Sequence, residues 1–320
     1  MTLVRRGYFL CQALACFFWW SLVFADEGVR RATLGGLSPD RWFVPDLALF
    51  GGLSLTTAAL PSRSLGLRIV LVLLLAWSGL VTAVLMVHAL LTNMAGLGVV
   101  LMACATSGTL LCGLPLAYDP VWVGRLLPMP LRVRPAERAP EAWKNVAKTI
   151  LQILVFWSLL LWFVPLGIRI LEERWGLGVP ALRPSGVALA GWVLFAVMGS
   201  VGIWAGMTMA TLGKGTPLPS SAANLLVIAG PYRFVRNPMA ITGISQGIAS
   251  GLILGSWMVV LYAVAGSAVW NCLVRPYEEA DLSKRFGREF EVYRQQVRCW
   301  IPGRLFTGTA DHPVGGTHRG

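Results

Sequence analysis

LGLRIVLVLLLAWSGLVTAVLMVHALL, Leu65 to Leu91, decides the class of this protein. A hydrocarbon layer about 30 Å thick is crossed by roughly 20 apolar residues in a helix, at 1.5 Å of rise each. This run exceeds that length, with Arg68 near its start and His88 near its end as its charged or titratable residues. Working outward, comparable runs occupy Tyr8–Phe24, Val44–Leu60, Met94–Tyr118, Ile150–Ile170, Val187–Leu212, Met239–Leu254 and Trp257–Leu273. The last two are short and meet at Gly255-Ser256, so they read as a helical hairpin. Ten-residue segments of alternating polarity, the mark of a membrane β-barrel, are absent from the pattern. The expected fold is an all-α polytopic membrane protein with about eight transmembrane helices.

Composition agrees. Of 320 residues, 56% are hydrophobic and 13% charged, with mean hydropathy +0.65. That charged share is about half the globular norm, too little polar surface to cover a soluble core. The formal charge is +12. With the N-terminus in the cytoplasm, 21 of the 27 Lys and Arg fall on the inner side. The outer side keeps Arg30, Arg31, Arg41, Arg169, Arg174 and Arg183. The basic excess is therefore an orientation signal, with both termini cytoplasmic, and not the footprint of a nucleic-acid partner. The implied location is an inner membrane of bacterial type, with membrane lipids as the surroundings. The first run also has the layout of a signal peptide ending at Val23-Phe24-Ala25, but its bulky Phe17-Phe18-Trp19-Trp20 centre favours a retained helix.

The six cysteines form no CxxC pair and read as free thiols in or beside the spans, and the three histidines are scattered, so no metal is expected. Four regions follow: membrane helices over 1–120, a Pro- and Arg-rich cytoplasmic linker over 121–148, a second membrane region over 149–306, and a small-residue tail over 307–320 expected to be disordered. The first region offers little chemistry. His88 and Asn93 read as packing or interfacial residues, and Asp46 and Asp119 as solvated residues at span ends.

The second region contains GKGTPLPSSAANLLVIAGPYRFVRNP, Gly213 to Pro238. Its four prolines forbid one continuous helix. Leu225-Leu226-Val227-Ile228 is too apolar for a free loop and should pack. Pro238 suits the first turn of the next helix, with Asn237 as N-cap, so amide donors and Arg233 and Arg236 would face a ligand carrying a carboxylate. After the last span, Glu278 and Glu279 stand near the membrane boundary, and Phe286, Phe290, Tyr293 and Val297 recur at helical spacing. The acidic pair also reads as an ordinary dipole-favoured first turn. A basic loop facing an acidic pair suits a zwitterion.

The combined pattern, G-x-Y-x-x-x-R-[HN]-P, then the hairpin, then E-E-x-x-L-x-x-x-F-G-x-x-[FY]-x-x-[YF]-x-x-x-V-x-x-x-I-P, resembles the isoprenylcysteine carboxyl methyltransferase and phospholipid methyltransferase family. The likeness runs from about Ile150 to Arg304 and does not extend to the first four spans. It implies an integral membrane enzyme using S-adenosylmethionine, with a cytoplasmic-side cofactor pocket capped by a C-terminal amphipathic helix. It assigns cofactor contacts to Asn224, Leu225, Leu226, Val227, Tyr232, Asn237, Pro238, Met239 and Ala240, and gives Glu278 the cofactor's amino end. Arg275 falls within one position of the family's substrate-side arginine, and Arg236 and Glu279 complete the candidate catalytic set. Two positions depart from the pattern: Asn237 stands where eukaryotic members have histidine, and Ala240 where a tyrosine is expected. The expected activity is methyl transfer to an amphiphilic or small apolar carboxylate, thiol or amine. Two alternatives stand beside it: an NADPH-dependent membrane reductase of the sterol or isoprenoid type, and a non-enzymatic membrane protein with a degenerate pocket.

Overall fold

In a computed structural model of the chain, which describes residues 2–119, 122–123, 142–216 and 223–302, every apolar run folds as helix and the described residues form no strand. The first region comprises α1 (Thr2–Ala25), α2 (Glu27–Leu34), α3 (Pro39–Asp46), α4 (Leu53–Ala59), α5 (Leu65–Thr92) and α6 (Gly96–Ala117). The second comprises α7 (Ala142–Ser158), α8 (Val164–Arg174), α9 (Ser185–Leu212), α10 (Pro238–Leu254), α11 (Trp257–Val269) and α12 (Arg275–Gln296). Among the described residues, six helices are long and apolar enough to cross a membrane: Thr2–Ala25, Leu65–Thr92, Gly96–Ala117, Trp143–Arg174, Ser185–Leu212 and Trp257–Gln296. The tail after residue 302 and most of the basic linker lie outside the described residues. Residues 142–148, expected as linker, are helical and begin α7.

Local chemistry sets the ends. Ser64 Oγ accepts from Leu67 N (3.1 Å) to start α5, and Asn93 ends it in the left-handed conformation. Ser256 Oγ accepts from Val259 N (3.2 Å) to start α11. Three rods are continuous, the first two within single expected spans and the third past the expected end at Leu273. Wide π-turns at Leu47–Gly52, Leu159–Phe163 and Trp270–Val274 join α3 to α4, α7 to α8 and α11 to α12, with right-handed helical backbone at the joints. The final rod, Trp257–Gln296, is far longer than a bilayer requires. Its apolar part ends near Leu273, and the charged segment from Arg275 onward cannot lie in hydrocarbon, so α12 projects beyond the membrane.

Asp46 corrects the sequence reading. It does not sit solvated at a span end but is 6% exposed, within the continuous rod of residues 39–59. The reason is local: Trp20 Nε1 and Trp77 Nε1 each donate to its carboxylate at 2.9 Å, providing polar partners inside the bundle.

The helices alternate in direction, so their connections gather at two ends. At one, Arg6 donates to Leu60 O (3.0 Å), Arg63 N donates to Leu116 O (3.0 Å), and Leu111 and Val123 pack on Leu273. At the other, Arg174 donates to Asn93 Oδ1, Trp257 Nε1 donates to Leu177 O (2.8 Å), and Trp175 packs with Leu85, Ala89 and Val99. Asn93 thus ties the two regions together. At the same end, buried Glu172 accepts from Ser256 Oγ and from Met258 N (3.1 Å), fixing the hairpin between α10 and α11.

Small residues allow close helix contact in the second region. A Cβ on Gly191 of α9 would lie 3.0 Å from Ala249 O of α10, and one on Gly251 of α10 would lie 2.6 Å from Val260 Cγ2 and 2.9 Å from Val260 N. Gly251→Val is therefore expected to force the hairpin apart and to destabilise the fold by about 1–3 kcal/mol. A lowered thermal unfolding midpoint of the purified protein in detergent checks this, and an unchanged midpoint would show that the hairpin is not so tightly packed.

Candidate active site

The chain leaves α9 at Leu212 and is pinched at once. Gly213 O accepts from Asn224 N (2.8 Å) and Leu225 N (3.2 Å), so the segment between returns to its starting point. A Cβ on Gly213 would meet Met209 O at 2.7 Å and Val227 Cγ2 at 2.8 Å, so a larger residue does not fit. Leu225 to Ile228 then runs without regular structure and its side chains divide. Val227 packs with Ala205, Tyr232, Met209 and Met239, while Leu226 and Ile228 pack on Phe290, Tyr293 and Val297 of the C-terminal segment. This apolar stretch is the wall between the bundle and α12, which accounts for its composition. Pro231 and Tyr232 are buried in a 3-10 turn, and Pro238 opens α10. Asn237 occupies the N-cap position, and its backbone O accepts from Ile241 N (3.2 Å), but its side chain makes no capping bond.

Three ties hold α12 over this loop. Arg285 pairs with Asp281 (2.6 Å) and donates to Ala223 O (2.7 Å). Tyr293 Oη donates to Tyr232 O (2.7 Å). Arg236 pairs with Glu279 (3.1 Å), donates to Arg294 O (3.2 Å), and its backbone N donates to Arg298 O (3.0 Å). The reading of Glu278 and Glu279 as a first turn favoured by the helix dipole does not hold. The rod runs on from α11 through the π-turn, so no free helix N-terminus lies behind them.

Between loop and helix lies an open cleft with about 970 Å³ of empty space, part of it open solvent. Of the expected site residues, Leu225, Leu226, Val227, Tyr232, Arg236, Asn237, Met239, Glu278 and Glu279 line it. Asn224, Pro238, Ala240 and Arg275 are outside its lining. Asn224 holds the loop's return, with its side chain donating to Lys214 O (3.3 Å), and Arg275 has a buried Nε without a hydrogen-bond partner among the described residues. Asp281, Leu282, Arg285, Phe286, Phe290 and Tyr293 also line the cleft, although the sequence reading placed none of them among the site residues. Their signal was present as the Asp281–Arg285 spacing of a helical ion pair and as the aromatic stripe, which was read as a packing face alone.

The charges in the cleft are uneven. Arg236 and Arg285 are each committed to a carboxylate. Glu278 has neither a hydrogen bond nor an ion pair from the described residues. Desolvation, and then the nearby charges of Asp281 and Glu279, push its carboxyl up to about 8. Burial likewise pushes the Tyr232 and Tyr293 hydroxyls up, so both remain protonated hydrogen-bonding groups. The five charged lining residues, three acids and two arginines, leave a formal net charge of −1 with all ionised.

The family model for phospholipid methyltransferases matches residues 185–289. This stretch contains α9, the pinched loop, the α10–α11 hairpin and α12 to just past the kink at Gly287, all parts of the cleft except Phe290 and Tyr293. No curated protein and no solved structure matches the chain. Over residues 185–289 the chain is similar to the phospholipid methyltransferase family, in keeping with the membrane methyltransferase that its motifs resemble.

Proposed function

We propose that the cleft binds S-adenosylmethionine and that the protein transfers its methyl group to an amphiphilic or small apolar acceptor reaching the cleft from the bilayer. The observation that carries this reading is Glu278: a carboxyl lining the cleft beside two arginines already paired with Glu279 and Asp281, and itself without a protein partner among the described residues. Such a group fits a cofactor with an ammonium at one end, a sulfonium in the middle and a net charge of about +1. The apolar wall of Leu225, Leu226 and Val227 fits the flat face of its adenine. When bound, the cofactor supplies a methyl carbon already activated by the sulfonium, so no covalent protein nucleophile is required.

The chain's own residues position, desolvate and hold charge. Glu278 meets the ammonium. Val227, Met239 and Met209 keep water from the reacting carbon, and α12, held by Arg236, Arg285 and Tyr293, forms the wall opposite the loop. The cleft-lining residues include no histidine to act as base, which favours an acceptor that is nucleophilic without losing a proton: a carboxylate, a thiolate or a neutral amine. The matched family's name is that of phospholipid methyltransferases, which supports a lipid-borne acceptor. The orientation with cleft and termini in the cytoplasm rests on the distribution of basic residues.

Calorimetric titration of the purified chain with S-adenosylmethionine and with NADPH tests the reading. A polyanionic dinucleotide would meet three acids and two arginines already paired, so only S-adenosylmethionine is expected to bind. Binding of NADPH alone would replace this proposal by the reductase. The titration should also depend on pH with a defined sign. Below about 8 the Glu278 carboxyl is neutral and must lose its proton to meet an ammonium, so affinity falls about tenfold per pH unit and one proton is released on binding. Above about 8 the cofactor's own α-ammonium, with the ordinary α-amino pKa of about 8, loses its proton, so the affinity passes through a maximum near there and falls again. Titrations in two buffers of different ionisation enthalpy count the proton.

A further inference from the structure

We infer that the N-terminal region holds a second ligand site, a cavity for an organic cation whose ammonium carries apolar substituents. The cavity is partly open, with about 560 Å³ of empty space that includes open solvent, and is lined by Trp19, Trp20, Trp42 and Trp77, by aliphatic side chains and by Asp46. It belongs to the end of the bundle where Leu34 and Leu85 lie, opposite the end that carries the methyl-transfer cleft, and the inference is independent of the methyltransferase reading.

The argument starts from Asp46. Its Oδ2 accepts from Trp20 Nε1 and its Oδ1 from Trp77 Nε1, both at 2.9 Å, and Cys16 Sγ lies 3.8 Å from Oδ2. Indole nitrogens donate and do not accept. The three donors favour the ionised carboxylate, while burial away from any positive charge favours the neutral carboxyl. Those neighbours bring hydrogen bonds without positive charge, and among the described residues no Lys, Arg or His pairs with Asp46. A buried carboxylate that is hydrogen-bonded but not neutralised is costly in a membrane bundle, and a cationic ligand removes that cost.

The walls select the kind of cation. A hard metal ion asks for six or more oxygen ligands, which an aromatic and aliphatic lining with one carboxylate does not supply. Indole faces attract soft, weakly hydrated ammonium groups. Trp19 adds a second, independent pointer: it lines the cavity, and among the described residues its buried Nε1 has no hydrogen-bond partner, a donor still to be satisfied. An alkylated ammonium bearing a nearby hydroxyl or ester oxygen meets all three features.

The test uses choline and its uncharged carbon isostere, 3,3-dimethylbutan-1-ol, which has the same shape and keeps the hydroxyl. Saturation-transfer NMR on the full chain in a non-ionic detergent measures both affinities. Choline is expected to bind saturably and about tenfold or more tightly than the alcohol. Asp46→Asn should weaken choline by about tenfold and leave the alcohol unchanged. Trp42→Leu, at the 37% exposed rim of the cavity, should weaken choline severalfold without disturbing the fold. Choline binding should persist in Glu278→Gln, which separates this site from the cleft. The proposal fails if choline gives no saturable signal, if the alcohol binds as tightly, if Glu278→Gln abolishes the signal, or if a folded Asp46→Asn binds choline as the wild type does. Should Asp46→Asn fail to fold, the isostere comparison and Trp42→Leu decide.

Discussion

Glu278→Gln will bind S-adenosylmethionine roughly ten- to a hundredfold more weakly than the wild-type chain, and without cofactor it will be the more stable protein above pH 8. Both effects come from one desolvated carboxyl. Replacing a charge-assisted contact to the cofactor's ammonium by a neutral one forfeits about 1.5–3 kcal/mol of binding. The stability effect has the opposite sign. The folded-state carboxyl titrates near 8 and the ordinary one near 4.5. The native state therefore holds a proton that the unfolded chain has released, and wild-type stability declines as pH rises between those values. The glutamine variant escapes that loss, so its advantage grows from about pH 4.5 to about pH 8 and is constant beyond. Thermal unfolding across this range, with titration calorimetry at pH 8, measures both halves. A variant that binds normally removes Glu278 from the cofactor site. One that binds weakly but shows no pH-dependent gain shows that the wild-type carboxyl is not desolvated.

The second large effect belongs to Arg236. Arg236→Ala should lower both stability and cofactor affinity. The side chains of Arg236 and Glu279 are 13% and 23% exposed, so the pair is largely shielded from solvent. Removing the arginine strands Glu279 in an acidic cleft and frees the Arg294 carbonyl, at a cost of about 1.5–3 kcal/mol. Arg236→Lys should not restore the wild type, because one ammonium cannot reproduce the guanidinium's fixed fork between carboxylate and carbonyl. The double variant Arg236→Ala/Glu279→Ala should recover part of the stability and little of the affinity. Recovery of stability identifies the stranded charge as the cause, and failure to recover affinity identifies Arg236 as a positioning residue for α12. Equal melting temperatures for Arg236→Ala and wild type would show that α12 is held by Arg285, Tyr293 and its aromatic contacts without Arg236.

The class of fold was legible because hydropathy acts through run length, and Leu65–Thr92 leaves no other reading. The apolar loop Leu225–Ile228 and the aromatic spacing from Phe286 to Val297 could each be seen to need a partner. That they are each other's partner is a contact across some 60 residues, which spacing does not encode. Asp46 was misread for a related reason. A carboxylate beside an apolar run looks like a boundary marker, and its burial depends on indoles contributed by Trp20 and Trp77 from other helices. Asn224 and Arg275, assigned by the family resemblance, lie outside the lining of the cleft: Asn224 is turned to the loop's return, and for Arg275 a linear pattern records order along the chain and not direction around a helix.

Direction around a helix is what the π-turn at Trp270–Val274 controls. A wide turn holds about one residue more than an α-turn, and one residue corresponds to about 100° of rotation about the axis. Everything downstream is set out of phase with α11 by that angle. The face of α11 that packs on the bundle and the face of α12 that carries Glu278, Leu282 and Phe286 are thereby offset. The same side chains on an uninterrupted α-helix would point Glu278 about a quarter-turn away from the loop. The cleft thus depends on phase as much as on composition: removing one residue from this turn, even with every cleft-lining side chain retained, would rotate the acidic edge out of reach of the residues opposite it.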